Sequence, residues 1–344
     1  MREWHGTKLS TLTTLRVGGP ATRLIEVISP AETAWNATDC DRRGEPFLVL
    51  GGGSNLLVAD GGFDGTVARI ASRGVRVRKA SDTEVLVSVE AGEPWDDVVA
   101  RAVGEGWVGI EALSGIPGST GATPIQNVGA YGQEIADVTE FVRTYDRARA
   151  RWHTFPPAEC GFTYRDSVFK QTRRYVVTGV ALRLGVGKLG APVRYAELAR
   201  RLGVGLGEPA PLGDVREAVL ALRRSKGMVL DPADHDTWSA GSFFTNPLLG
   251  PEQAAALPAD APRYPQPDGR VKTSAAWLIE HAGFAKGHGT NRAALSGKHT
   301  LALTNRGSAC TADIVALARE VRAGVEAAYG IRLEHEPVLV GTAL

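Results

Sequence analysis

Two stretches decide how this chain reads: Leu50-Gly-Gly-Gly-Ser-Asn-Leu56, and Ser114-Gly-Ile-Pro-Gly-Ser-Thr-Gly-Ala-Thr-Pro-Ile-Gln-Asn-Val-Gly-Ala-Tyr-Gly132. In the first, the buried-strand pattern Phe47–Leu50 runs into three glycines, so successive backbone N–H groups can converge into an anion-binding concavity. Ser54 and Asn55 add short hydrogen-bonding side chains. On this segment alone, a tight turn without a ligand reads equally well. The second stretch sets five glycines, Gln126, Asn127 and Tyr131 within nineteen positions. It can wrap a flat, polar-edged ligand, and a purely structural omega loop rarely needs Gln-Asn beside so much glycine. Glycine placement is uneven across the chain, with clusters at 51–53, 115–132 and 283–297. Such clusters form where backbone adopts positive φ or approaches a ligand closely, which points to a phosphate-bearing cofactor.

Working outward, 344 residues exceed what one hydrophobic core usually serves, so two or three domains are expected. With 39 Lys+Arg against 38 Asp+Glu, no global field gathers nucleic acid or anionic lipid, and an anionic ligand must be held locally. Cys40, Cys160 and Cys310 are odd in number and far apart, which gives neither a metal spacing nor a disulfide framework. The N-terminus lacks a signal-peptide core, and no apolar run approaches the ~18 residues that span a bilayer. A soluble, cytoplasmic protein without membrane or nucleic-acid partners is expected.

Short strands mix with helices without a regular βαβ alternation. Strands are predicted at Phe47–Leu50, Val85–Glu90, Tyr175–Leu184, His299–Thr304 and Pro337–Val340. Helices are predicted from Pro94 to Val103, from an Asp214 cap onward, and from Asp313 to Tyr329 with Gly330 as its stop. Gly185–Gly213 and Pro258–Gly269 read as junctions or long loops, the latter carrying four prolines.

Several signatures are absent. Gly51 and Gly53 begin a GxGxx run, but Leu56 stands at the sixth position and the Rossmann fingerprint fails. There is no P-loop, no GxSxG and no HExxH. The seven histidines show no ligand spacing, so no metal site is expected. Three smaller constellations remain. Phe162-Thr-Tyr-Arg-Asp-Ser-Val-Phe169 offers Arg165 as a two-pronged carboxylate clamp, although a surface Arg–Asp pair is the commoner fate of such residues. Ala240-Gly-Ser-Phe-Phe-Thr-Asn-Pro247 sets Ser242 before two rings, facing a tight pocket or merely bonding its own backbone. Leu333-Glu-His-Glu-Pro337 puts Glu334 and Glu336 on one side of an extended segment, or on a solvated acidic edge.

Taken in order, these segments resemble the UDP-N-acetylenolpyruvoylglucosamine reductase (MurB) family, from about Leu12 to Gly341. The resemblance implies an α+β architecture: an FAD-binding fold of the vanillyl-alcohol-oxidase (PCMH) type in two subdomains, 1–75 and 76–212. A third, α/β substrate-binding domain would span 213–337, with 338–344 returning to the first subdomain. The implied activity is NADPH-dependent reduction of UDP-N-acetylglucosamine enolpyruvate to UDP-N-acetylmuramate through non-covalent FAD, for peptidoglycan synthesis, in a monomer. Carried over residue by residue, Gly51, Gly52, Gly53, Ser54 and Asn55 would bind the FAD pyrophosphate. Ser114, Gly115, Gly118, Ser119, Gly121, Gln126, Asn127, Gly129, Ala130 and Tyr131 would line the flavin. Arg165, Ser242 and Glu336 would be catalytic, with Glu336 assigned by counting from Leu333 because the family's LEPEV stands here as LEHEP. Tyr164, Tyr195, Lys226 and Asn246 would contact substrate, Tyr195 resembling the tyrosine that type I members fold over the diphosphate. GSTGATPIQN departs from the commoner glycine pattern, which leaves contacts at Ala122 and Thr123 unassigned.

The residue types suit the implied chemistry. An enolpyruvyl alkene accepts hydride only when its carboxylate is polarised, and Arg165 with Glu336 would stabilise the developing enediolate. Ser242 would then protonate the adjacent carbon, which requires hydrogen-bond reach. Two other readings stay open: an FAD oxidase of the same fold, and a non-enzymatic nucleotide-sugar sensor. Covalent flavin attachment through a histidine near the glycine motif is excluded, since no histidine lies between His5 and His153, and a non-covalent oxidase stays open.

Overall fold

Val85, Val87 and Val89 alternate along the strand Glu84–Glu90, and all three are buried. The strand pairs edge to edge with the long strand Tyr175–Val186, antiparallel, with Val180 opposite Val89 and Leu182 opposite Val87 on the same face. A computed structural model describing residues 1–344 shows these two strands at the centre of an antiparallel sheet. Thr139–Asp146 and Arg151–Phe155 extend it on one side, Val75–Lys79 on the other, and Trp107–Val108 pairs with the end of Tyr175–Val186. The helix Trp95–Gly104 buries Trp95, Val98, Val99 and Ala102 in the core of this sheet. Pro94 stands as its N-cap rather than inside its first turn.

A second sheet has the strand order Arg2–Lys8, Pro20–Val27, Phe63–Ile70, Phe47–Leu50, with the last two parallel. The helix Pro30–Arg43 covers it, and Ala37 and Cys40 pack with Ile25, Val27 and Ala68. Ser29 caps that helix by accepting the Glu32 N–H, and Gly44 ends it at φ +65°. A third cluster joins the helices Ala196–Leu202 and Leu212–Ser225 through Leu198, Val215 and Val219. The second of these begins two residues before the expected Asp214 cap, which places Asp214 in the first turn.

The chain forms two compact units. The elements above build one, from Met1–Thr7, Ala21–Gly52 and Asp64–Ser225. The other comprises Lys8–Pro20, Gly53–Phe63 and Lys226–Leu344. Its core gathers Phe243, Phe244, Leu278, Leu303, Ile314 and Val321 around Leu15, Val17 and Leu57 from early in the chain. The helix Thr311–Tyr329 starts two residues before expectation, because Cys310 and Asp313 form a reciprocal cap. The Thr311 and Ala312 N–H groups at this N-terminus donate to the Asp60 carboxylate at 2.7 and 3.0 Å. The final strand, Val338–Val340, pairs in parallel with Leu56–Val58. The expected strand His299–Thr304 shifts to Leu303–Asn305, because Ser296 Oγ accepts the Lys298 and His299 N–H groups and turns the chain there. No helix is long and apolar enough to cross a membrane.

Candidate active site

In the first unit, Leu50 ends its strand and delivers Gly51 and Gly52 onto the second glycine loop. A side chain on Gly51 would collide with Ser119, and a Cβ on Gly52 would lie 2.6 Å from the Gly118 Cα. Glycine is therefore needed for the two backbones to touch, as the sequence pattern suggests. The loop's other face is tied down: Trp95 N–H donates to Gly118 O, Thr120 N–H to Glu93 O and Gly121 N–H to Ala91 O. The N–H groups of Gly52, Gly118 and Ser119 donate to no group within the protein. Backbone donors beside a small hydroxyl, with two loops in van der Waals contact, suit a dinucleotide cofactor that lies along both loops. FAD fits this donor set.

Further along, the strand residues Gly129–Ala130 pair with Gln133–Glu134, and Tyr131 and Gly132 form the two-residue turn between them. Both have positive φ, +50° and +88°, the signature of a tight hairpin whose twist matches its strands. Tyr131 meets the ring of Tyr195 edge-on at 5.4 Å. Asn127, buried at φ +44°, donates to Glu134 Oε2 at 2.8 Å and Thr163 O at 3.1 Å, and accepts the Ala136 N–H at 3.1 Å. It thereby fixes the neighbouring turn Thr163–Asp166, at whose tip Arg165 adopts φ +57°. Its guanidinium donates to Gly129 O at 2.7 Å and Asn127 O at 3.5 Å, and lies over Tyr164. Arg165 is therefore not the surface partner of Asp166, which accepts instead from Gln171. A left-handed arginine costs on the order of 1 kcal/mol, which the surrounding bonds must offset.

In the second unit, Phe244 pairs with His335 in an antiparallel bridge. Thr245 N–H donates to Glu334 O, and Glu336 N–H donates to Phe243 O at 2.9 Å. Phe243 and Phe244 are fully buried and pack ring to ring at 5.2 Å, so this crossing is anchored by core burial. It brings Glu336 beside the Ser242–Phe243 segment and leaves Glu334 exposed. Asn55 joins them, its Nδ2 donating to Glu336 O at 3.4 Å while its carbonyl accepts the Val338 N–H. Ser242 follows Gly241 at φ +76°. The local backbone bond belongs to Ser239, whose Oγ accepts the Gly241 N–H, leaving the Ser242 hydroxyl without a protein hydrogen bond. Asn246 Oδ1 accepts the Ala275 N–H at the start of the helix Ala275–His281, and Lys226 directly follows the helix Leu212–Ser225.

Sequence reading missed the side chains that hold these loops. Asp96 accepts the Gly115 N–H and both prongs of Arg216. Glu111, 1% exposed, accepts from Gly109, Ala191 and Gln133. Glu111 lies between the apolar Ile110 and Ala112, and Asp96 directly follows the buried Trp95, positions where a carboxylate needs a partner. That was the available signal, but the partners are too distant in sequence to read.

Comparison with known proteins agrees with this geometry. An FAD-binding domain family matches residues 22–154, and the UDP-N-acetylenolpyruvoylglucosamine reductase C-terminal domain family matches 231–340. UDP-N-acetylenolpyruvoylglucosamine reductase of Thermobifida fusca (strain YX) is 58% identical, covering 98% of this chain and 97% of its own. That of Cutibacterium acnes (strain DSM 16379 / KPA171202) is 55% identical, covering 98% and 90%. The crystal structure of the Thermus caldophilus enzyme is similar over 99% of both chains, with 27% identity and a TM-score of 0.67. On this full-length likeness, the chain belongs to the UDP-N-acetylenolpyruvoylglucosamine reductase family.

Proposed function

We propose that this chain reduces UDP-N-acetylglucosamine enolpyruvate to UDP-N-acetylmuramate with NADPH, using FAD held without a covalent bond. The observation that carries the reading is the crossing of Phe243–Thr245 with Glu334–Glu336, which brings the backbone of Glu336 against the residue after Ser242. Gly51–Asn55 take the pyrophosphate, and Ser114–Gly121 with Gln126–Tyr131 take the flavin. Bound FAD supplies a two-electron carrier between NADPH and the alkene. Arg165, held by Gly129 O, presents a cation to the substrate carboxylate, where negative charge grows as the alkene accepts hydride. Glu336, as the proton-bearing acid, donates a hydrogen bond to the same developing charge. Ser242 Oγ donates the proton to the neighbouring carbon. Tyr164, Tyr195, Lys226 and Asn246 bind the remainder of the nucleotide sugar. Within this reading, 1–75 and 76–212 form the cofactor-binding part, 213–337 the substrate part, and 338–344 returns to the first. It includes a monomeric enzyme of the cytoplasm, which three free cysteines suit.

The test is an anaerobic two-step titration. NADPH should bleach the flavin absorbance, and UDP-N-acetylglucosamine enolpyruvate should restore it without oxygen. Ser242→Ala should leave the first step intact and slow the second. A flavin that stays reduced until air enters would point to an oxidase, and equal slowing of both steps would remove Ser242 from proton donation.

A further inference from the structure

The flavin-facing loop has an internal anchor that neither the motifs nor the reaction chemistry explains. Asp96 lies in the first turn of the helix Trp95–Gly104, where the helix dipole favours a carboxylate. Its Oδ1 accepts the Gly115 N–H at 2.6 Å and Arg216 Nη1 at 2.7 Å, and its Oδ2 accepts Arg216 Nη2 at 2.9 Å. The same Nη1 donates to Ser114 Oγ at 3.0 Å, and that hydroxyl donates to Glu111 O at 2.7 Å. One planar guanidinium thus joins the helix Leu212–Ser225 to a carboxylate and to the first residue of the loop. Gly115 stands at φ +70°, a conformation with little intrinsic preference to persist unless its N–H is held. Burial pushes the Asp96 carboxyl up, but the bonds from Arg216 and Gly115 outweigh it and keep the group below its ordinary range.

We propose that Arg216 and Asp96 are positioning residues for the flavin, fixing Ser114 and Gly115 so that the loop through Ser119 is pre-shaped for the isoalloxazine. The inference rests on the flavin reading of that loop. Neither side chain needs to touch the cofactor. Preorganisation of this kind acts chiefly on how long a ligand stays bound, because a loosened loop must be reordered at each encounter.

The experiment measures FAD release from the holoenzyme, as the rise of flavin fluorescence on dilution, beside the melting temperature and visible flavin spectrum of each protein. Arg216→Met and Asp96→Asn should each raise the release rate by about tenfold or more and shift the flavin band. Arg216→Lys should fall between them and the parent, since an ammonium can reach Asp96 but cannot also span Ser114. Arg183→Met is the control. It breaks a comparable fork onto Glu140, on the large sheet of the same unit, and should lower the melting temperature without hastening FAD release. Parental release from folded Arg216→Met or Asp96→Asn protein would overturn the proposal, as would equal release from Arg183→Met. A parent protein that binds no FAD at all would instead remove the flavin reading on which the proposal stands.

Discussion

Glu336 and Phe243 share one backbone hydrogen bond, N–H to carbonyl at 2.9 Å, and through it the C-terminal segment is held one residue from Ser242. The bond sets register: a shift of one residue would bring His335 or Pro337 into that place, and a shift of two would bring Glu334. Glu336→Gln should therefore lower kcat by about 10²-fold or more with a smaller change in KM, while Glu334→Gln should stay within about threefold of the parent. Steady-state kinetics of the two variants decide it, and equal losses would show that the register assigns no separate role to Glu336.

Gly129 has a different constraint. A Cβ there would lie 2.8 Å from Glu134 Cγ and 3.1 Å from Arg165 Nη1. Gly129→Ala should push the guanidinium off its carbonyl partner, lowering activity and costing about 1–3 kcal/mol of stability. Urea unfolding together with kcat checks both, and an unchanged kcat would mean that Arg165 needs no such seat.

Phe243 and Phe244 are 0% and 1% exposed and anchor the crossing that carries Ser242. Phe244→Ala should cost about 3–5 kcal/mol by transfer and cavity terms. Phe244→Leu should cost less and recover most activity, as measured by denaturant midpoint and turnover.

Burial pushes the Cys160 thiol up to about 12, with Glu159 nearby adding to the effect. The folded pKa lies above that of an unfolded thiol, so this contribution is intact below about pH 8.5 and is lost as pH rises toward the folded value. Stability should fall through that alkaline window, and Cys160→Ala should flatten the fall even if it lowers stability at neutral pH. An unchanged alkaline slope would exclude the thiol. In the native protein at pH 8, a thiol reagent should modify Cys310, which is half-buried, well before Cys40 or Cys160.

Local pattern carried much of the fold. The valines of Glu84–Glu90, the apolar run Phe47–Leu50 and the stripe on Thr311–Tyr329 each depend on neighbours in sequence, and each was legible with boundaries off by no more than two residues. The helix Pro30–Arg43 is poorly legible although Ser29, Pro30 and Gly44 punctuate it, because its polar residues dilute the apolar period. Sheet order was not legible, since pairings such as Glu84–Glu90 with Tyr175–Val186 are fixed by tertiary packing. The same holds within the site. The glycine clusters and the motifs that hold the candidate residues Arg165, Ser242 and Glu336 are local runs of sequence, whereas the tie between Asp96 and Arg216 joins residues 120 apart. The meeting of Asn55 with the Glu336 carbonyl likewise spans 281 positions.

The second unit's core takes Leu15, Val17 and Leu57 from one end of the chain and Phe243 through Leu333 from the other, and its last strand closes against Leu56–Val58. During synthesis those early segments must wait, unsatisfied, while most of the polypeptide emerges. That unit can be completed only once Val338–Val340 has emerged, about 280 residues after its partner Leu56–Val58, which leaves the early segments exposed to aggregation in the interval. A chain cut short before Val338 should be recognised by proteases as unfinished, even with every proposed catalytic residue present.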